Sequence, residues 1–579
     1  MSRNACTAGR KVRSRMLSAF TRLMPTFSVM RSAGASRIIR AAKPSSCALP
    51  ANDRLRSCQS SAAAARIGQG PSVLRRHERP GCRLADDLLE ARQVDLPQRA
   101  LDLTAVDALT RRAYGVGVVA DDADPDVILC RASAGEEKGA VGTDPRPPAR
   151  AGISEAYRVQ ADGDGVLVTG AGDEALFRGL LTVAALSSQG ELAALEISDG
   201  PHFAWRGLSL DVVRRWFPVE DVERVIDLLA IHKFNVLHLH LSDMQGWRFV
   251  VPGYDVASGD GHYTAADLDH LVAYAAARQV TIVPEVDMPG HVSPTVGERI
   301  GVEVATGPHP LVRYLEWHGE GFPAFVQAVL DELVARFDAP YLHIGGDEAF
   351  GDPIESYVAF VRAAVAEVRA RGRRVLGWQE TSRAGILGGD DRSQLWIADR
   401  DRFDADKARQ DLPEQFHPFI PLLAQTFAES TGDAARLGEA GVPVIVSSSD
   451  PLYLDRKPSE DSTDAGQQEQ RARLGHPGYE ATPSTDVLRW DPTLQADIAE
   501  AGLTVAGVEA ALWCESVTSF DDAATLLLPR LGLVAQVCWG GPLGGDVAEA
   551  DVLAAARAQA DAWDALGFSA YYRSAGVLG

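Results

Sequence analysis

Two adjacent acids, Asp347 and Glu348, follow two glycines at the end of an apolar run, YLHIGGDEAF (341–350). One carboxylate is costly to bury and two neighbours cost more. A pair placed where a buried strand ends is therefore either a solvated terminus or a chemical device. Consecutive side chains on a regular strand point to opposite faces, and Gly345 and Gly346 supply the backbone freedom to turn both acids into one pocket. Mutual repulsion would keep one carboxyl protonated, ready to act as a general acid. A double-displacement glycosidase holds its two carboxyls about 5–5.5 Å apart on opposite sides of a sugar. Residues with Cα atoms about 3.8 Å apart do not straddle a ring in that way. In glycoside chemistry this pair would leave the nucleophile to something other than the protein.

Aromatic residues make up only 7% of the chain, yet Trp378, Trp396 and Trp513 each end an apolar run. A single Trp at such a position is usually core or rim. Three at matching positions form a flat apolar enclosure suited to a sugar face or an acyl methyl. Arg206, Asp455 and Glu515 are candidates to hydrogen-bond ring hydroxyls, although each read alone is a surface ion-pair member. LHLHLSD (237–243) raises a different chemistry. His238 and His240, two apart on a strand, face the same way, as in metal-dependent TIM-barrel amidohydrolases. His291 and His343 are further candidates for such a site. The later runs end in Trp, Tyr and Glu, which favours histidines packed and hydrogen-bonded near the mouth, with no metal or other cofactor.

These residues need a frame that brings strand ends together. After Pro201, eight short apolar runs recur: GLSLDVV, FNVLHLHLSD, VTIVPEVDMPGH, YLHIGGDE, RVLGWQE, SQLWIAD, VPVIVSSSD and VAGVEAALWCES. Helical spacing follows most of them, clearest in VEDVERVIDLLAIHK and FPAFVQAVLDELVARF. Eight such units predict an α/β fold, a (β/α)8 TIM barrel over 201–579, whose catalytic loops gather at the C-terminal ends of the strands. Upstream, AYRVQADGDGVLVTG reads as a hairpin, DEALFRGLLTVAALSSQ as a helix and LAALEISD as a strand. They predict a small α+β domain over 85–200. The stretch 457–489 reads as a long loop before the eighth strand.

Charge and cysteine divide the chain at the same place. Residues 1–84 hold 17 Lys and Arg against Asp53 and Glu78, a charge near +15, which leaves about −37 on the rest, given −22 overall. A domain that acidic argues against nucleic acid as its main partner. Four of the seven cysteines, Cys6, Cys47, Cys58 and Cys82, lie in the basic segment, and the remaining three form no disulfide or CxxC pattern. Residues 1–84 are expected to be a disordered or leader segment. Its most apolar piece, MLSAFTRLMPTFSVM, is interrupted by Arg22 and Pro25 and makes a poor signal core. That tilts localisation to the cytoplasm, with secretion as the other reading. No run is long and apolar enough for a membrane span.

FAWRGLSLDVVRRWF, HLHLSDMQGWR, PEVDMPGH, HIGGDEAF and ALWCES, in this order, resemble the β-N-acetylhexosaminidases of glycoside hydrolase family 20. The resemblance runs from about Ala156 to the C-terminus. It implies release of a terminal GlcNAc or GalNAc by substrate-assisted retention, in which the sugar's own acetamido oxygen attacks C1. By motif, Glu348 would be the acid and then the base, Asp347 would orient the acetamido group, and Tyr453 would hydrogen-bond its carbonyl oxygen. Trp378 and Trp396 would wall the methyl, and Trp513 would stack under the ring. Arg206 would hold the 3- and 4-hydroxyls, and Asp455 and Glu515 the 4- and 6-hydroxyls. Asp243 and His291 would stand behind Glu348. A disaccharide-releasing or inactive carbohydrate-binding relative are the neighbouring readings. Departures from the family pattern are Met244 in SDMQGWR, DRKP after Tyr453, and His476-Pro477 where a loop Trp is expected, with Trp490 a residue that could replace it.

Overall fold

The computed structural model of the chain describes residues 28–29, 72–82, 96–119, 127–132, 155–162, 165–190, 192–306, 313–318, 321–397, 403–411, 414–543, 548–568 and 571–578. Eight parallel strands close into a barrel: Trp205–Asp211, Val236–His240, Thr281–Glu285, Tyr341–His343, Arg374–Trp378, Arg392–Leu395, Val444–Val446 and Val505–Leu512. They pair in chain order, and the eighth lies beside the first from Gly507 opposite Trp205 to Leu512 opposite Leu210. These are the eight runs predicted to be strands. Every residue of the first three is buried, as parallel strands covered on both faces require.

The two clearest helical patterns form the crossover helices Val219–Ile231 and Phe322–Arg336, with Val222, Val225, Ile226 and Leu229 making the inward stripe of the former. The fifth and sixth crossovers are among those that depart from the simple repeat. The fifth is a short 3-10 helix, Gln379–Ala384. The sixth carries helices Ala405–Asp411 and Ile420–Ser430 ahead of Asp433–Ala440. The stretch 457–489 is more ordered than a loop. It contains helix Ala465–Arg473 and a 3-10 turn, Asp486–Arg489, and it buries Leu474, Val487 and Leu488 in the core. Polar composition hid that packing, because the helix itself buries nothing.

In the small domain, strands Tyr157–Asp162 and Gly165–Gly170 form the predicted hairpin, and Leu195–Asp199 adds on antiparallel. Helix Asp173–Ser187 covers one face, buried from Ala175 to Ser187. The sheet also takes in strands Ser28–Val29 and Ser72–Cys82 from within residues 1–84, the latter parallel to Val127–Ala132. The rest of that expected leader lies outside the described residues. The domain sits on the N-terminal end of the barrel, where Arg178 donates to the carbonyls of Phe234 (3.2 Å) and Gln279 (3.1 Å), just ahead of strands two and three. Among the described residues no single helix is long and apolar enough to cross a membrane.

Candidate active site

At the end of the fourth strand the backbone turns through Gly345 (φ +66°) and Gly346 (φ +96°). A Cβ on Gly345 would stand 1.8 Å from Asp287 Oδ1, so the close approach also demands glycine there. Gly346 N–H donates to Asp287 Oδ1 at 2.8 Å, and the Tyr357 hydroxyl donates to the Gly346 carbonyl at 2.6 Å. The turn ends with Glu348 itself at φ +47°, a left-handed conformation uncommon outside glycine. Both acids thereby face the mouth, with side chains 15% (Asp347) and 30% (Glu348) exposed.

His291, also left-handed at φ +49°, stands between the acids. Its Nε2 is 3.3 Å from Glu348 Oε2 and 3.7 Å from Asp347 Oδ2. Its Nδ1 donates to Asp243 Oδ2 at 3.1 Å, and Arg214 Nη2 reaches the same oxygen at 2.7 Å. Burial alone would raise the Asp243 carboxyl, but the charges of Arg214 and His291 outweigh it and hold it well below the usual range. Burial would likewise lower His291, yet Asp243 and Asp347 lift it well above an ordinary imidazole. It is therefore a cation that ties Glu348 to the buried Asp243.

On the other side, Asp347 faces Asp287. Burial, with the Asp287 charge next, pushes Asp347 well above the usual carboxylate range, and burial pushes Asp287 up to about 7. Two carboxyls this close in a desolvated site hold one proton between them, so the pair presents a single negative charge.

Beside the acids lies an aromatic enclosure of Trp378, Trp396, Tyr453 and Trp513. Trp396 and Tyr453 lie parallel, 7° apart in plane with centroids 6.4 Å apart, while Trp513 is 5.8 Å from Tyr453 and 5.9 Å from Trp378. Trp378 Nε1 donates to Glu285 at 2.7 Å, which fixes its ring. Leu454 N–H bonds the Ala511 carbonyl at 2.7 Å and holds the Tyr453 segment against the eighth strand. Burial raises the Tyr453 phenol well above its usual value, so it remains a donor. The buried Asp455 and the exposed Glu515 close the rim. Burial and the Glu515 charge raise Asp455 well above the carboxylate range, and among the described residues its Oδ1 has no hydrogen-bond partner.

Arg206 is not among these residues. It is the second residue of the first strand, 1% exposed at the N-terminal end of the barrel, where it donates to the Lys233 and Phe203 carbonyls (both 2.9 Å) and pairs with Glu155. A side chain at that end cannot reach a sugar at the other. Arg214, three residues past the same strand, is the arginine of the mouth, with its guanidinium 5.5 Å over the Trp513 ring and 4.0 Å from Glu515. Asp287, Glu380 and Tyr479 were also missed. Tyr479, two residues past the His476-Pro477 pair where a loop Trp was expected, joins the aromatic enclosure, edge-on to Tyr453 at 6.3 Å. Trp490 instead packs against the main core.

His238 and His240 lie inside the barrel. His238 has Nδ1 2.8 Å from Glu509 and Nε2 3.1 Å from Glu285. His240 pairs with Glu285 through Nδ1 and with Asp243 at 2.9 Å through Nε2. Burial opposes their charge, but these carboxylates push His238 up to about 9 and His240 up to about 10. Each ring nitrogen of the pair thus faces a barrel carboxylate rather than another imidazole.

The catalytic-domain model of glycosyl hydrolase family 20 matches residues 203–542. A β-N-acetylhexosaminidase of Cellulomonas fimi is 33% identical over 443 residues, 72% of this chain and 79% of its own length. A β-hexosaminidase of Akkermansia muciniphila is 27% identical over 423 residues, 68% of this chain and 80% of that one. Among solved structures, the family 20 β-N-acetylhexosaminidase of Streptomyces coelicolor A3(2) superposes with a TM-score of 0.64 at 28% identity, covering 89% of this chain and 95% of that one. A Streptomyces plicatus β-hexosaminidase variant in complex with its product GlcNAc gives 0.64 at 27% identity, covering 88% and 93%.

Proposed function

The chain belongs to glycosyl hydrolase family 20 and is an exo-acting β-N-acetylhexosaminidase, and from that premise we propose the roles its own residues take. The reaction retains configuration with assistance from the substrate, so no protein nucleophile is required. Glu348 gives its proton to the glycosidic oxygen as the C1–O bond breaks, while the acetamido oxygen forms a bond to C1. The resulting oxazolinium ring carries positive charge at nitrogen, and Asp347, which shares one proton with Asp287, accepts the N–H. Tyr453 donates to the acetamido oxygen and aligns it for attack. Glu348, now a carboxylate, takes a proton from water as that water attacks C1 and reopens the ring. The imidazolium of His291 steadies the Glu348 carboxylate once its proton has left.

Trp378, Trp396 and Tyr453 enclose the acetamido methyl, and Trp513 is the floor under the ring. Arg214, with Asp455 and Glu515, binds hydroxyls in the role assigned from sequence to Arg206. A sugar hydroxyl would supply the donor that the buried Asp455 Oδ1 lacks. The observation that carries this reading is the Gly345–Glu348 turn, which brings two adjacent acids onto His291 Nε2, Glu348 at 3.3 Å and Asp347 at 3.7 Å. The test compares 4-nitrophenyl β-N-acetylglucosaminide with the matching β-glucoside, alongside inhibition by N-acetylglucosamine-thiazoline. Hydrolysis of only the acetamido sugar, with tight competitive inhibition, is expected. Equal rates on both sugars would rule out acetamido participation.

A further inference from the structure

The fifth crossover, which lacks a full helix, takes on another task. The first two side chains of its 3-10 turn both hold Trp396. Gln379 Oε1 accepts the backbone N–H groups of Trp396 (3.1 Å) and Ile397 (3.2 Å). The two carboxyl oxygens of Glu380 lie 3.2 and 3.3 Å from the indole Nε1 of the same residue. One residue fixes where the Trp396 backbone runs and the next fixes how its ring is turned.

Glu380 is 2% exposed, an expensive place for a carboxyl whose direct partner is a neutral indole. Arg383, one turn on, is committed elsewhere, to Asp433 at 3.2 Å and Glu429 at 3.3 Å. Burial, with the nearby Asp347 charge next, raises the Glu380 carboxyl well above the usual range, so it stands as a neutral acid. A neutral acid beside the reaction centre adds no charge to compete with Asp347, yet its carbonyl oxygen still accepts from the indole. The ring so held is the one parallel to Tyr453, with Phe427 edge-on to it at 6.1 Å.

We propose that Glu380 is a positioning residue that sets the depth of the acyl pocket: by holding the Trp396 indole parallel to the Tyr453 ring, it makes the enzyme select N-acetyl over larger N-acyl sugars. The inference rests on the reading of Trp396 as part of the acetamido enclosure. With the indole locked, a longer acyl chain has nowhere to go. With the indole free to rotate, the pocket deepens.

The experiment measures kcat/KM for 4-nitrophenyl glycosides bearing N-acetyl, N-propanoyl and N-butanoyl groups in the wild type, Glu380→Gln, Glu380→Asp, Glu380→Leu and Trp396→Ala. One methylene in a fitted apolar pocket is worth about 10- to 200-fold, and the wild type should discriminate in that range. Glu380→Gln keeps an acceptor oxygen at the same reach and should retain the ratio. Glu380→Leu, with no acceptor, and Glu380→Asp, too short to reach, should each lower it by about tenfold, independently of any general loss of rate. If Glu380→Leu does not fold, Glu380→Asp reads the same effect. Folded variants that lose rate equally on all three substrates, or keep the wild-type ratio, would overturn the positioning role. Trp396→Ala separates the two layers of the argument. An unchanged ratio there sinks the acetamido reading of Trp396, and the inference with it. A lowered ratio there with unchanged Glu380→Asp and Glu380→Leu variants sinks the role of Glu380 alone.

Discussion

Glu348 occupies a backbone conformation, φ +47°, that costs free energy in any residue with a Cβ, and its partner His291 does the same at +49°. The surrounding bonds hold both, and the result is a carboxyl facing an imidazolium across 3.3 Å. Glu348→Gln keeps the shape and removes the proton. Hydrolysis of chitobiose, with its poor leaving group, should fall by about 100- to 10,000-fold. A 4-nitrophenyl substrate needs no protonation to depart, so its single-turnover release should be largely spared, and parallel rapid-quench and steady-state assays read the difference. The Asp347–Glu348 pair was legible in the sequence because two glycines and two acids at the end of an apolar run have few structural explanations. The arginine was misassigned by residue type alone. Arg206 and Arg214 lie in one motif, and the rule that barrel chemistry gathers at C-terminal strand ends excludes Arg206, the second residue of its strand. Arg214→Ala should raise KM by about 10- to 100-fold, the worth of a charged hydrogen bond to a hydroxyl, and Arg214→Lys should recover little because one ammonium cannot replace a planar fork.

Elements joined by the barrel were easier to read than elements joined across its mouth. Eight apolar runs of similar polarity identify the strands, since buried parallel strands leave no other sequence signature. By contrast, nothing local in HPGYEA says that Tyr479 will meet Tyr453, a contact made only once 457–489 has folded back. The histidines of the second strand fall between these cases. Their common face was legible, but their partners Glu285 and Glu509, on the third and eighth strands, meet them only when the barrel closes. That closure makes a titrating link between strands. The folded pKa of His238 is raised to about 9, above an unfolded value of about 6.5. The stability it contributes is therefore fully present below about pH 6.5 and is lost as pH rises through 9. In His238→Gln this contribution disappears. The melting-temperature gap between wild type and variant should be widest near pH 6 and narrow toward pH 10, as read by calorimetry across that range. A constant gap would mean that His238 is neutral in the fold.

At the scale of the whole molecule, the two ends of the barrel bury charge for different purposes. At the mouth, Asp455 and the Asp287–Asp347 pair are desolvated carboxyls raised in pKa, held for a ligand. At the opposite end, buried charges pair with each other across the domain boundary. Glu155 of the small domain bonds Arg178 at 3.1 Å and Arg206 of the barrel, and Lys233 of the barrel reaches Asp199 of the sheet at 3.0 Å. Burial would raise Glu155, but Arg206 and Arg178 outweigh it and hold it near 2, so it is ionised throughout the neutral range. This is what the first arginine of the FAWRG motif serves. It explains why a residue so prominent in a catalytic-domain motif never reaches the substrate. Removing one partner of such a cluster leaves the rest uncompensated in a low-dielectric interior, which costs about 3–5 kcal/mol. Glu155→Ala takes the nearest carboxylate from two guanidiniums at once and should lower the unfolding free energy measured by chemical denaturation by that amount. Because the damage lies at the far end of the barrel from Glu348, kcat/KM per folded molecule should stay within about twofold of the wild type, since sites without shared partners behave additively. Active-site titration with a tight inhibitor supplies the folded fraction for that comparison. A variant that keeps its stability but loses kcat/KM would show that the small domain acts on the chemistry rather than on the fold.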